Sequence, residues 1–125
     1  MTKLTWDDVV RWRFHRHHLA ATKAADPVAV ARRLSGVHAQ VASSAVAATD
    51  LRAKGRVTAA TIDTLLSEDR TLVRTWAARG TLHLLPAADL PTWVAAMSTR
   101  TREKTPSWLR YNGVTAGQMA DIMAA

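Results

Sequence analysis

The sequence contains no cysteine. Disulfide bonds and thiolate metal sites are therefore excluded, secretion gains no support, and a reducing cytoplasm is the expected setting. No apolar stretch approaches the length of a membrane span. The first ten residues, MTKLTWDDVV, are acidic where a secretory leader would be basic, and they carry no continuous apolar core. Internal repeats, low-complexity tracts and long linkers are also missing. Acidic side chains are the scarcer sign of charge: 17 Lys and Arg against 10 Asp and Glu leave +7 over 125 residues. A field of that sign draws polyanions, of which nucleic acid is the commonest, although a membrane-surface protein or an ordinary basic domain carries the same signature. The length suits one ordinary domain with a modest core.

What is present reads as a series of short helices. Thr5 with Asp8 three residues on predicts a capped helix through Val9, Val10 and Phe14 towards Leu19. Its acidic start and basic end suit the helix dipole, so RWRFHRHH reads first as a solvated face. Asp26-Pro27 predicts the start of a helix carrying Val30, Ala31 and Leu34, with Gly36 as its stop. The Ser43-Ser44 pair is expected to cap an Ala-rich helix ending near Lys54. Thr58 is expected to cap another, with Ile62, Leu65 and Leu66 as its buried stripe.

From Thr71 the pattern changes. TLVRTW and TLHLL, separated by AARG, predict a β-hairpin over residues 71 to 85, with a continuous helix as the competing reading. Pro86, Asp89 and Pro91 place the next helix at about Ala88 to Met97, burying Leu90, Trp93 and Val94. STRTREKTPSWLRYNG reads as a basic loop, and Thr115 caps an apolar segment that runs to the last residue with no stop. The expected fold is mostly α with a small β-hairpin, a winged helix-turn-helix. Its boundaries are residues 1–97 for an N-terminal DNA-binding module and 98–125 for a basic connection and the truncated start of a further helical segment.

Three segments, LTWDDVVRWRFHRHHL, LSGVHAQVASSAVAATDLRAKG and DRTLVRTWAARGTLHLLPAADLPTW, together resemble the tandem winged-helix family that contains the AlkZ-like DNA glycosylases. The resemblance covers most of residues 4 to 97, and RTWAARGTLHLLPAADL is its most specific part. It implies a first module of a longer protein that stacks several winged helices around double-stranded DNA. It also implies a monofunctional, metal-free glycosylase, without cofactor, that excises alkylated or crosslinked purines. In that family a Gln, an apolar residue and a second Gln hold the nucleophilic water; the matching residues here are His38, Ala39 and Gln40. Gln40 carries over directly, whereas His38 stands where the family has Gln.

The chemistry tolerates that departure. An N7-alkylated purine is already cationic and leaves without a general acid, so side chains that place and polarise one water suffice. Imidazole accepts a hydrogen bond from water and can take its proton near neutral pH. Residues two apart share a side only in an extended segment, so His38 and Gln40 converge on a common cleft only if residues 37 to 41 are non-helical. Arg74, Arg79, Arg100, Arg102 and Lys104 cluster around the hairpin and following loop and are the expected phosphate contacts.

The remaining candidates have blander readings. His15 and His18 lack a nearby Cys, Asp or Glu to complete a metal site, and no metal is expected. His83 alternates with Leu82 and Leu84 as a satisfied structural histidine. Trp12, Trp76, Trp93 and Trp108 are expected in the core or as staples rather than as base-stacking platforms. A non-catalytic winged-helix DNA-binding protein, such as a transcriptional regulator, is the alternative function.

Overall fold

The computed structural model describes residues 3–100 and 105–124. It divides into two compact units, Met1–Trp93 and Val94–Ala125. Helix α1 (Trp6–Arg16) opens on the expected capping box: Thr5 Oγ1 accepts from the Asp8 N–H at 3.2 Å, and the Thr5 N–H donates to Asp8 Oδ2 at 2.9 Å. It closes at His17, short of Leu19, because His18 turns left-handed at φ 54° and the Leu19 N–H folds back to the Phe14 carbonyl at 2.9 Å. None of its residues is buried. The expectation that Trp12 packs in a core is therefore corrected: it is 60% exposed, with the Arg16 guanidinium 5.3 Å from its ring centre.

Helix α2 (Pro27–Arg33) is capped by Asp26 through its carboxylate and the Ala29 N–H at 2.7 Å. The chain then crosses Ser35 and Gly36, both at positive φ, into strand β1 (Val37–His38). Helix α3 (Ala42–Asp50) follows, but Ser43 and Ser44 do not cap it; its N-cap is Val41, with no side-chain cap bond. Residues 39 and 40 are still tied to another strand, so the helix begins directly after that tie. It ends at Asp50 rather than Lys54, because residues beyond it find other partners. Ala24 and Ala53 form a bridge, with Ala24 N–H to Arg52 O at 2.9 Å and Lys54 N–H to Ala24 O at 2.8 Å, while Asp50 Oδ1 accepts from the Val57 N–H at 2.7 Å. Helix α4 (Ala59–Ser67) starts on a Thr58–Thr61 capping box and buries Ile62, with Leu65 and Leu66 half-buried beside it.

Strands β2 (Leu72–Trp76) and β3 (Leu82–Pro86) form the expected hairpin. Its tip turns through Ala78–Gly80, with Arg79 at φ 57° and Gly80 at φ 72°. The sheet has three antiparallel strands in the order β1-β3-β2. Register pairs Val37 with Leu84 and His38 with His83 on one side of β3, and Arg74 with Leu84 and Thr75 with His83 on the other. The core is built from small residues, Ala24, Ala31, Ala39, Ala45 and Ala53, around Val30, Leu72 and Leu84. Alanine at those positions lets helices approach the sheet closely, and the larger buried leucines supply most of the apolar area. Trp76, at 59% exposure, lies outside this core, another correction.

Helix α5 (Leu90–Ser98) follows a 3-10 turn over Ala87–Asp89. Leu90 and Trp93 are half-buried, but Val94 is 59% exposed, contrary to expectation. In the second unit the expected loop is in part a helix, α6 (Pro106–Asn112), capped by Thr105 and ended by Gly113 in the left-handed region at φ 66°. Those are ordinary start and stop signals that the basic composition of the segment obscured. Trp108 is half-buried on it. Thr115 caps helix α7 (Ala116–Ala124) as expected, exchanging bonds with Gln118 at 2.9 and 3.2 Å. No helix of the described residues is long and apolar enough to cross a membrane.

Candidate functional site

Residues 37 to 41 are non-helical, with strand at Val37–His38 and bends at Gln40 and Val41. Burial alternates: Val37 and Ala39 are buried in the core, while His38 and Gln40 are exposed. The segment is held by β3 through the Ala39 N–H, which donates to Leu82 O at 2.7 Å. One residue on, Gln40 Oε1 accepts from the Leu82 N–H at 3.2 Å, so a side chain continues the ladder where the strand itself has ended. That bond fixes the amide: only the oxygen can accept from a backbone N–H, which leaves the amide nitrogen and the second lone pair of Oε1 open to solvent.

Directly opposite His38 on β3 lies His83, and paired residues of an antiparallel ladder share a face. Their rings meet edge to face, with centres 5.4 Å apart and planes at 84°. His83 is 8% exposed and its Nδ1 lies 2.8 Å from Thr81 O; a carbonyl only accepts, so Nδ1 carries the proton. His83 is thus a satisfied buried histidine, as expected, but one placed against a candidate site residue. Sequence reasoning missed both this contact and the Leu82 bond. The HAQ and TLH segments lie more than forty residues apart, and only the strand register brings them together.

A cleft of about 70 Å³ opens on the other side of the strand, lined by Ala39, Ala42, Asp63, Arg74 and Leu84 among others. His38 and Gln40 are both exposed, but neither lines this cleft, although a common cleft is what the sequence leads one to expect for them.

Among the expected phosphate contacts, Arg74 lies exposed on β2 and Arg79 at the hairpin tip. Neither makes a side-chain hydrogen bond or ion pair among the described residues, unlike Arg32, which pairs with Asp89 at 3.3 Å, and Arg56, which pairs with Asp50 at 3.3 Å. Arg52 is also engaged: its Nη1 donates to Ala48 O at 2.7 Å, and burial pushes its pKa down. Arg100 belongs to the second unit, where its Nη1 sits 4.0 Å from Met97 Sδ. Arg102 and Lys104 lie outside the described residues. The described residues contain no group of three or more His, Asp or Glu able to hold a metal ion.

Helix, edge strand, two helices and a hairpin, with the edge strand paired to the second hairpin strand, define a winged-helix module, here with an additional helix in front of it. The chain belongs to the AlkZ-like DNA glycosylase family, whose description, DNA glycosylase AlkZ-like, matches residues 31–125. It is similar to the interstrand DNA cross-link repair glycosylase of Streptomyces sahachiroi, at 34% identity over 122 residues, which is 96% of this chain and 32% of that relative. The solved structure of Streptomyces sahachiroi DNA glycosylase AlkZ aligns with a TM-score of 0.84 at 33% identity, over 97% of this chain and 32% of that one. The chain therefore spans about a third of the length of the curated relative it matches.

Proposed function

We propose that this chain supplies the water-positioning edge of a DNA glycosylase that hydrolyses the N-glycosidic bond of alkylated or crosslinked purines in double-stranded DNA. On this reading residues 1–97 are its first winged-helix module, and the setting is cytoplasmic. The observation that carries the proposal is the pair of exposed side chains, His38 and Gln40, two residues apart on a segment fixed to the sheet. Hydrolysis needs a water whose lone pair faces the sugar C1′ while its protons point elsewhere. The free lone pair of Gln40 Oε1 accepts one of those protons and an imidazole nitrogen of His38 the other. As the C1′–N bond breaks, its electron pair leaves with the base and neutralises the cationic purine; the oxygen of water bonds to C1′, and His38 takes the proton. Arg74 and Arg79, unengaged by other side chains of the described residues, are the phosphate contacts that hold the duplex.

The regulator reading is weakened by α4, the helix that a helix-turn-helix would send into the major groove. Its exposed residues are Ala59, Ala60, Asp63 and Ser67; it carries no Lys or Arg, and its one charged residue is an aspartate, which phosphate repels. Incubation of the full-length protein with duplex carrying a single N7-alkylguanine should yield abasic sites, and a duplex left intact would refute the enzymatic reading. Arg79→Ala should lower the salt slope of duplex binding by about 1. An unchanged slope would remove Arg79 from the interface.

A further inference from the structure

We propose that His83 is a positioning residue of this site, setting the ring of His38 through the ring contact across the β1–β3 ladder; the inference rests on the reading of His38 as a water ligand. An imidazole buried on a strand of leucines costs stability unless its polar atoms are satisfied, and the apolar neighbours Leu82, Leu84 and Leu85 show what the position would ordinarily hold. His83 is buried, and its Nδ1–H is bound to Thr81 O at 2.8 Å, which holds its ring in place. His38 has no such anchor. It is exposed, and its side chain makes no hydrogen bond among the described residues; the edge-to-face contact with His83, centres 5.4 Å apart, is the ring contact it makes. A held ring thus bears on a freer one.

The test uses the full-length protein and four variants: His83→Leu, His83→Phe, His38→Ala and the His38→Ala/His83→Leu double. His83→Leu should slow single-turnover excision of N7-alkylguanine by about fivefold, with duplex affinity unchanged, and His83→Phe, which keeps a ring but loses the Thr81 bond, should slow it by less. In the His38→Ala background His83→Leu should have no further effect, because His83 acts through His38. An equal slowing in both backgrounds would assign His83 to general stability and overturn the proposal. A second readout needs no catalysis: in 13C-histidine-labelled protein the His38 ring signal, assigned by its loss in His38→Ala, should move in His83→Leu. It should move less in His83→Phe, which keeps a ring without the Thr81 bond. A His38 signal indifferent to His83→Leu overturns the positioning role whatever the activity. If the wild type excises nothing, the glycosylase reading falls while the ring signal still decides the contact. Should His83→Leu fail to fold, His83→Gln keeps a donor for Thr81 and removes the ring.

Discussion

Helix α1 and the β1–β3 edge are written in similar letters, histidines, arginines and bulky apolar side chains, and the structure treats them in opposite ways. In α1 the apolar residues Trp6, Val10, Trp12 and Phe14 stay at the surface, and the helix is held by its capping box and by the Arg33 side chain, which donates to the Arg16 carbonyl at 2.7 Å. At the β1–β3 edge the anchors are long-range: Val37 against Leu84, Ala39 N–H to Leu82, and His83 beneath His38. A helix can form on local signals alone, whereas a pair of side chains becomes a site only when non-local pairing fixes its backbone. Which of the two is sensitive to mutation should differ accordingly.

The largest effect on stability should come from the sheet. Leu84→Ala removes a side chain only 2% exposed, at the crossing of β1, β2 and β3, and should cost about 2–5 kcal/mol in denaturant unfolding. A loss below about 1 kcal/mol would mean that the strands are not the centre of the core. Gly36→Ala comes next. Gly36 sits at φ +103°, and a Cβ would fall 2.7 Å from Leu85 Cδ2, so the variant carries both backbone strain and a clash. About 1–3 kcal/mol of destabilisation is expected, together with slower excision, because the residue leads directly into Val37 and His38. Wild-type stability would break the link between this turn and the site.

On the other side of the comparison, Trp6→Ala and Trp12→Ala should each shift stability by no more than about 0.5 kcal/mol, since both rings are more than half exposed. A cost as large as that of Leu84→Ala would show that α1 is packed in solution and would erase the contrast. The smallest effect concerns pH. Asp8 is held below its ordinary pKa, chiefly by the Thr5 side chain and then by the Thr5 backbone N–H. A depressed carboxyl contributes stability above its unfolded pKa and loses it as pH falls through the folded value, so the first turn of α1 should fray only below roughly pH 4. Amide exchange at Asp8 and Val9 checks this; protection unchanged down to pH 2 would mean that the box does not hold the turn.

What could be read from the sequence follows the same division. Helix starts at Thr5, Asp26 and Thr58 and the hairpin around Gly80 are local chemistry, and each falls where its cap or turn residues put it. The start of α3 was misplaced because Ser43 and Ser44 are good caps in isolation, while the real boundary is imposed by β3 holding residues 39 and 40. Trp12 and Trp76 are exposed for a related reason: a large apolar ring predicts burial only when an element lies opposite it, and nothing in the sequence says which faces are covered. His38 and Gln40 could be picked out by family resemblance alone, since a His and a Gln two apart are common in any sequence. Their partners His83 and Leu82 could not, because register is a property of the folded sheet.

The central claim is that Gln40 and His38 act on water and not on DNA affinity, and single-turnover excision paired with duplex titration tests it most directly. In the full-length protein Gln40→Ala should abolish release of an N7-alkylated purine while leaving affinity for undamaged duplex within about threefold, under about 1 kcal/mol. The Leu82 N–H that it strands lies at an exposed bond and can turn to solvent, so the fold should survive. Excision at the wild-type rate by Gln40→Ala would contradict the account, as would a loss of activity matched by an equal loss of binding.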